Sequence, residues 1–254
     1  LNFEFRVTHN AFTDLDGEHY VTKGGAYIEL EDIMPQFGYV ERYVIGDEQE
    51  RKKRGLSLVK LIAPTDEMKV ISDDWVNFET TVSTSDMHTV AAVGQLQKQW
   101  KEAGRNYFHY KAQQKVQRQL AYTSAIFDTV TEKHKGVEIT IYHSPEHDKD
   151  IQLTFDALKA TMDYFAENFG PYRSNEYTVV ELPYFSSAQS FGSAQPGMYL
   201  GVENRFFNLD NRNSEQNPLL RGISHEFAHQ YWGGYIDPNY IGGYATLTEM
   251  LCKY

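Results

Sequence analysis

Cysteine is almost absent from this chain. The single residue, Cys252, excludes an internal disulfide framework and a cysteine-rich structural zinc site. It reads as a small apolar packing residue. Long hydrophobic runs are missing too. No stretch approaches the roughly 18 to 20 consecutive apolar residues that a membrane helix needs. Basic charge is scarce: 24 Lys and Arg stand against 35 Asp and Glu, a formal net charge of −11. A nucleic-acid binder presents a net basic face, so that class is disfavoured. The one basic run, Arg51-Lys52-Lys53-Arg54, lies between Glu50 and Gly55 and reads as a solvated turn. There is no signal peptide, no internal repeat and no low-complexity segment. The chain opens at Leu1, which reads as a piece of a longer protein.

What is present fits a folded α+β chain. Its 254 residues, 41% hydrophobic, suit one large domain or two medium ones. The first half alternates with period two, the mark of half-buried strands. Asn2 to Val7, Asp73 to Val82, Asn106 to Tyr110 and Gly136 to Tyr142 all do so. They predict an antiparallel β-domain over residues 1–145. After Pro145 the period changes. Leu153, Leu158, Met162 and Phe165 follow helical spacing over 150–169, and Gly170-Pro171 stops that helix. Strands are expected at 176–182 and 198–203, around a Ser/Gln/Gly-rich loop over 186–197 placed near substrate. A helix capped by Asn217 and opened by Pro218 runs to Trp232 and ends at Gly233-Gly234. A last helix starts near Gly243 and holds Glu249. Residues 146–254 form the second predicted domain.

The sharpest signal is His225-Glu226-Phe227-Ala228-His229, of the form H-E-x-x-H. Residues four apart on a helix share a face, so the two imidazoles can bind one zinc ion. Glu226 sits one residue round from His225 and can act as general base toward a zinc-activated water. Catalytic zinc takes three protein ligands and keeps one position open. Glu249, 20 residues after His229 on a separate predicted helix, is the natural third ligand. The chemistry is hydrolysis, of a peptide-like amide first, with epoxide or ester hydrolysis as the alternatives on the same frame.

These residues carry a family likeness. His225 to Gly233, followed by Leu247-Thr248-Glu249, resembles the aminopeptidase N family of gluzincin metallopeptidases, which carry H-E-x-x-H-Q-W-x-G and then a zinc-binding Glu. Most members place that Glu 19 residues after the second His. The gap of 20 here, with Thr at 248, resembles a bacterial branch fused to ABC-transporter permease segments. Asp74 to Glu79, Tyr164 to Tyr172 and Ala188 to Phe191 resemble that branch too. The likeness covers most of residues 70–254 and is weaker over 1–70. It implies an N-terminal β-sandwich domain followed by the start of a thermolysin-like catalytic domain, truncated at its C-terminus. It implies Zn2+ held by His225, His229 and Glu249, with Glu226 as general base and a peptide as substrate. It implies aminopeptidase specificity, with the substrate's α-amine held by acids. The family's G-x-M-E-N strand is matched in part by Leu200-Gly201-Val202-Glu203-Asn204, which makes Glu203 the candidate substrate-binding residue. It also implies a membrane-anchored bacterial parent with transporter segments, carrying this soluble domain on the extracytoplasmic side. The family's oxyanion donor is a Tyr well downstream of the third ligand. The chain ends at Tyr254, so weak zinc binding and poor turnover are expected of it alone.

Two further features have quieter readings. His143, His147, Asp148 and Asp150 read as a solvated linker rather than a second metal site. The 18 Tyr and 15 Phe read chiefly as core and sheet packing. The competing function is a non-catalytic, zinc-containing peptide-binding or sensor domain of a transporter permease.

Overall fold

The structure, a computed structural model, describes residues 2–4, 6, 20–21, 24–34, 45–57, 75–183, 192–203, 218–236 and 245–253. The fold is mixed α+β. In chain order the strands and helices are β1 (Tyr20–Val21), β2 (Gly25–Glu29), α1 (Leu30–Ile33), α2 (Glu48–Lys53), β3 (Trp75–Val76), β4 (Glu79–Ser85), β5 (Thr89–Ala92), β6 (Gln95–Glu102), β7 (Arg105–Lys111), β8 (Val116–Gln117), β9 (Ala121–Ala125), β10 (Asp128–His134), β11 (Val137–His143), α3 (Ile151–Phe169), β12 (Glu176–Leu182), β13 (Gly192–Gln195), β14 (Met198–Val202) and α4 (Pro218–Ala228). A π-helical turn, Thr246–Met250, and a 3₁₀ turn, Leu251–Lys253, follow. No described helix is long and apolar enough to cross a membrane.

Four layers build up from the side-chain pattern. The largest sheet has the order β10-β11-β12-β14-β13. The β11-β12 and β12-β14 pairs are parallel, and the two outer pairs are antiparallel. Its central strands are buried on both faces, as parallel strands require. Alternation splits β12 cleanly. Tyr177 and Val179 face α3 and α4, where they join Leu158, Met162, Ile223 and Phe227. Val180 and Leu182 face the opposite way, with Met198 and Leu200, onto Tyr27, Ala91 and Ala121 of a second sheet. That sheet has the order β1-β2-β9-β5. Its far side carries Val90 and Ala92 against Phe108 and Tyr110 of the three-stranded sheet β4-β7-β6. The Tyr110 hydroxyl donates to the Val90 carbonyl at 2.6 Å across that layer.

Sheet membership cuts across the boundary expected at 145. β10 and β11 precede it, yet β11 pairs with β12 along Glu138 to Tyr142. The reason is reach: the helix α3 carries the chain back along the sheet, so the strands before and after it lie side by side and parallel. The helix itself follows its sequence period. Ile151, Phe155, Leu158, Met162 and Phe165 fall three or four apart and are buried. Gly170, at φ +96°, stops it.

Elsewhere the pattern is less faithful. Residues 2–4 and 6 lie outside any strand, while 5 and 7, like 73–74 and Asn217, are outside the described residues. The basic run is a short exposed helix, α2, instead of a turn. The Asp47 side chain caps it by accepting from the Glu50 amide at 2.7 Å. The segment 143–150 is no solvated linker: His143 and Asp150 are buried, and His147 bonds to Glu181 at the end of β12.

Glu176 opens β12 directly beside Glu138 on β11. Burial, then the charge of Glu138, pushes its carboxyl up to about 7 from an ordinary 4.5. Between those values the folded chain holds a proton that the unfolded chain has lost. Stability therefore falls as pH rises through that window and stays lower above it, by at most about 3 kcal/mol. Glu176→Gln should melt higher than the parent at pH 8 and at the same temperature at pH 4. A constant difference across pH would show that Glu176 titrates normally.

Candidate metal centre

The helix α4 presents two faces. Leu219, Ile223 and Phe227 are almost fully buried, and Phe227 stacks among the rings of Phe165, Tyr172 and Tyr177. Burying such a side chain contributes about 2–3 kcal/mol, which fixes the helix in rotation as well as place. His225 lies on the adjoining face. The α-helix ends at Ala228, but the His229 amide still reaches the His225 carbonyl at 3.3 Å. Helical spacing thus extends one residue further, and the two imidazole Nε2 atoms stand 3.2 Å apart. The chain then folds back. A Cβ at Gly234 would sit 2.4 Å from the Gln230 carbonyl oxygen, so only glycine permits the reversal.

Glu249 arrives on the π-helical turn, a geometry frequent at functional sites. Its carboxylate oxygens lie 3.6 Å from His225 Nε2 and 3.8 Å from His229 Nε2. Each carboxylate oxygen faces one ring, at 3.6 and 3.8 Å, with the rings 3.2 Å apart, and the three residues form a triangle of donors whose ligand atoms lie within 4.8 Å of one another. Ligands about 2.0–2.1 Å from one ion at tetrahedral angles stand roughly 3.3 Å apart. Two imidazoles and a carboxylate at this spacing fit a zinc ion.

Outer atoms orient the two rings. His229 Nδ1 lies 3.3 Å from the Trp232 carbonyl, and the His225 ring bonds to the backbone of Cys252. Such partners would fix which ring nitrogen faces a bound metal. Burial, then the neighbouring His229, lowers the pKa of His225, with Glu249 opposing. That favours the neutral imidazole a metal needs. The Cys252 thiol is pushed up to about 12, by burial first and then by Glu249 and Glu226. It packs as an unreactive thiol.

Glu226 is 8% exposed and sits outside the donor triangle. Its carboxyl is pushed up to about 7, by burial first and then by Glu249, while the Ala194 amide donates to it and opposes the rise. A carboxyl poised there can take and return a proton near neutral pH. Glu226 and the triad line a cleft of about 800 Å³, with Gln195, Gln230 and Tyr235. Its other wall comes from the β-rich half, where the Gln117 side-chain amide donates to the Gly233 carbonyl at 2.7 Å.

Of the residues expected from sequence, His225, Glu226, His229 and Glu249 converge. Glu203 does not join them. It follows β14 and lies beside Glu181 and His147, where the three offer ligand atoms within 4.8 Å of one another, and it is not among the cleft-lining residues. Glu181 is almost fully buried, and accepts from the Ser144 amide at 2.7 Å and from the His147 ring. Burial raises its pKa, with those bonds opposing. β13 falls inside the segment 186–197 expected as a loop. Gly192-Ser193-Ala194-Gln195 has little strand propensity. A Cβ at Gly192 would meet the Tyr199 ring at 2.5 Å, so the glycine that weakens the signal is what lets the strands pair. The rest of that loop, 184–191, is outside the described residues, as is Tyr254. No protein-family model matches this chain, and no curated protein matches it.

Proposed function

We propose that this chain is part of a zinc-dependent metallopeptidase that hydrolyses peptide bonds. The observation carrying the reading is the donor triangle of His225, His229 and Glu249 with the buried Glu226 beside it. A zinc ion in that triangle would supply Lewis acidity, polarising a scissile carbonyl and acidifying water. The chain's residues do the rest. Glu226 takes the proton of the attacking water at its carboxylate and hands it to the leaving amine. The Ala194 amide holds that carboxylate in place. Glu226 is itself almost fully buried, which strengthens the interactions its carboxylate makes. The fold reading goes with it: β4-β7-β6 and β1-β2-β9-β5 as a β-sandwich, and the five-stranded sheet with α3 and α4 as the start of a thermolysin-like catalytic unit.

Aminopeptidase specificity, implied by the resemblance, calls for a carboxylate at the substrate's α-amine. Because Glu203 lies away from the described cleft lining, the proposal is for peptide-bond hydrolysis, and the assay must compare free and N-blocked substrates. About one zinc per chain by metal analysis in excess zinc, with slow but measurable cleavage of peptide or aminoacyl-arylamide substrates, is the expected result. Zinc without cleavage of any substrate would favour the peptide-binding domain of a transporter permease. No bound zinc would sink the reading.

A further inference from the structure

Gln230 follows the second histidine directly, and its side chain is 7% exposed. The hydrogen bonds of that side chain go neither to the donor triangle nor to Glu226. Both ends of its amide are used, and both on one target. Its Nε2 donates to the Gln195 carbonyl at 3.0 Å, and its Oε1 accepts from the Gly197 amide at 2.8 Å. Those two groups flank Pro196, in the turn that joins β13 to β14.

That turn needs support. Two-residue hairpins favour turns with positive φ at the first central position, because such turns match the twist of the strands. Pro196 fixes φ near −65° and forbids them. Gly197, at φ +70°, completes a turn of the other hand, which splays the strands it joins. Among the described residues the pairing of β13 with β14 covers Gly192 to Gln195, and β13 is the outer strand of its sheet. An outer strand has a ladder on one side alone, and a mismatched turn weakens that ladder at its end. The amide of Gln230 makes two buried bonds where that ladder is weakest.

The consequence reaches the site through one residue. Ala194 lies on β13, next to the clamped Gln195, and its amide is the donor to Glu226. We infer that Gln230 is a positioning residue: it pins the β13–β14 turn to the histidine-bearing helix and thereby sets where the Ala194 amide meets Glu226. The helix that supplies two metal ligands also aligns the strand that holds the base. The kinetic part of this inference rests on the peptidase reading; the structural part stands without it.

Site-resolved amide exchange separates the two. Gln230→Met keeps the side-chain length and removes both bonds, while Gln230→Glu keeps an acceptor for the Gly197 amide and loses the donor to Gln195. In Gln230→Met the Gly197 and Ala194 amides should exchange roughly five- to tenfold faster, with those of α4 unchanged as the folding control. In Gln230→Glu the Gly197 amide should stay slow. Both variants should keep the wild-type zinc content and lose roughly tenfold in kcat, with a smaller change in KM. Unchanged exchange at Gly197 in Gln230→Met overturns the inference. Should that variant fail to fold, fast Gly197 exchange in Gln230→Glu does the same. If the parent itself hydrolyses nothing, the peptidase reading has failed, and the exchange result still decides the clamp.

Discussion

Glu226→Gln will keep its zinc and lose its hydrolysis. The carboxamide has the size and shape of the carboxylate, and one of its atoms can still accept from the Ala194 amide. What it cannot do is take a proton from water. A positioned general base is worth roughly 10²- to 10⁴-fold, so turnover should fall by at least the lower figure. The metal should stay because Glu226 lies outside the donor triangle. The fold should stay as well, since a neutral amide is easier to bury than the carboxylate it replaces. Zinc content, melting temperature and kcat measured on the same preparation test all three statements. A variant that retains more than a tenth of the parent's turnover would remove Glu226 from the chemistry, and one that loses its zinc would redraw the ligand set.

How much of this was legible beforehand depends on the range of the interaction. The strand 176–182 and the helix 151–169 were legible to the residue or nearly so, because each carries its own period and, in the helix, its own stop at Gly170. The placement of His225 against His229 was legible because four residues on a helix is a local distance. That Glu249 belongs beside the two histidines was legible by type and spacing, but not the π turn that delivers it, which no short-range pattern encodes.

Long-range pairings were not legible. Nothing near His147 announces that Glu181, 34 residues on, will bury itself against the imidazole and turn an apparent linker into packed structure. Nothing in Glu203 says whether β14 ends toward the cleft or away from it. That is fixed by the parallel pairing with β12, which sets Val202 beside Leu182 and so carries Glu203 to the same end of the sheet as Glu181. β13 was hidden for another reason. Its residues are poor strand formers held by contacts from elsewhere, Gln230 among them.

The second large effect concerns where the metal sits. Glu249 is the most exposed member of the triad, with a side-chain exposure of 54% against 22% for His225 and 18% for His229. Its removal leaves the two imidazoles and α4 packed as before, so Glu249→Ala should fold without difficulty. It should bind zinc far more weakly, because altering only a group that orients a ligand costs roughly 10- to 100-fold in affinity and this removes a ligand outright. Mass action turns that into a melting shift. Zinc at about a thousand times its dissociation constant stabilises by about 4 kcal/mol, or roughly 10 °C in a chain of this size. The parent should show that rise on adding zinc, and Glu249→Ala should show little of it. The other group of ligand-bearing side chains, His147, Glu181 and Glu203, supplies the control. There the imidazole bonds directly to the Glu181 carboxylate, which leaves less room for an ion than the open triangle at His225. Glu181→Gln should therefore retain the full zinc-induced rise, on a lower baseline because the buried bonds to the Ser144 amide and the His147 ring are disturbed. The reverse outcome, with the rise kept in Glu249→Ala and lost in Glu181→Gln, would move the metal from α4 to the far end of β12 and leave Glu226 without a reaction to serve.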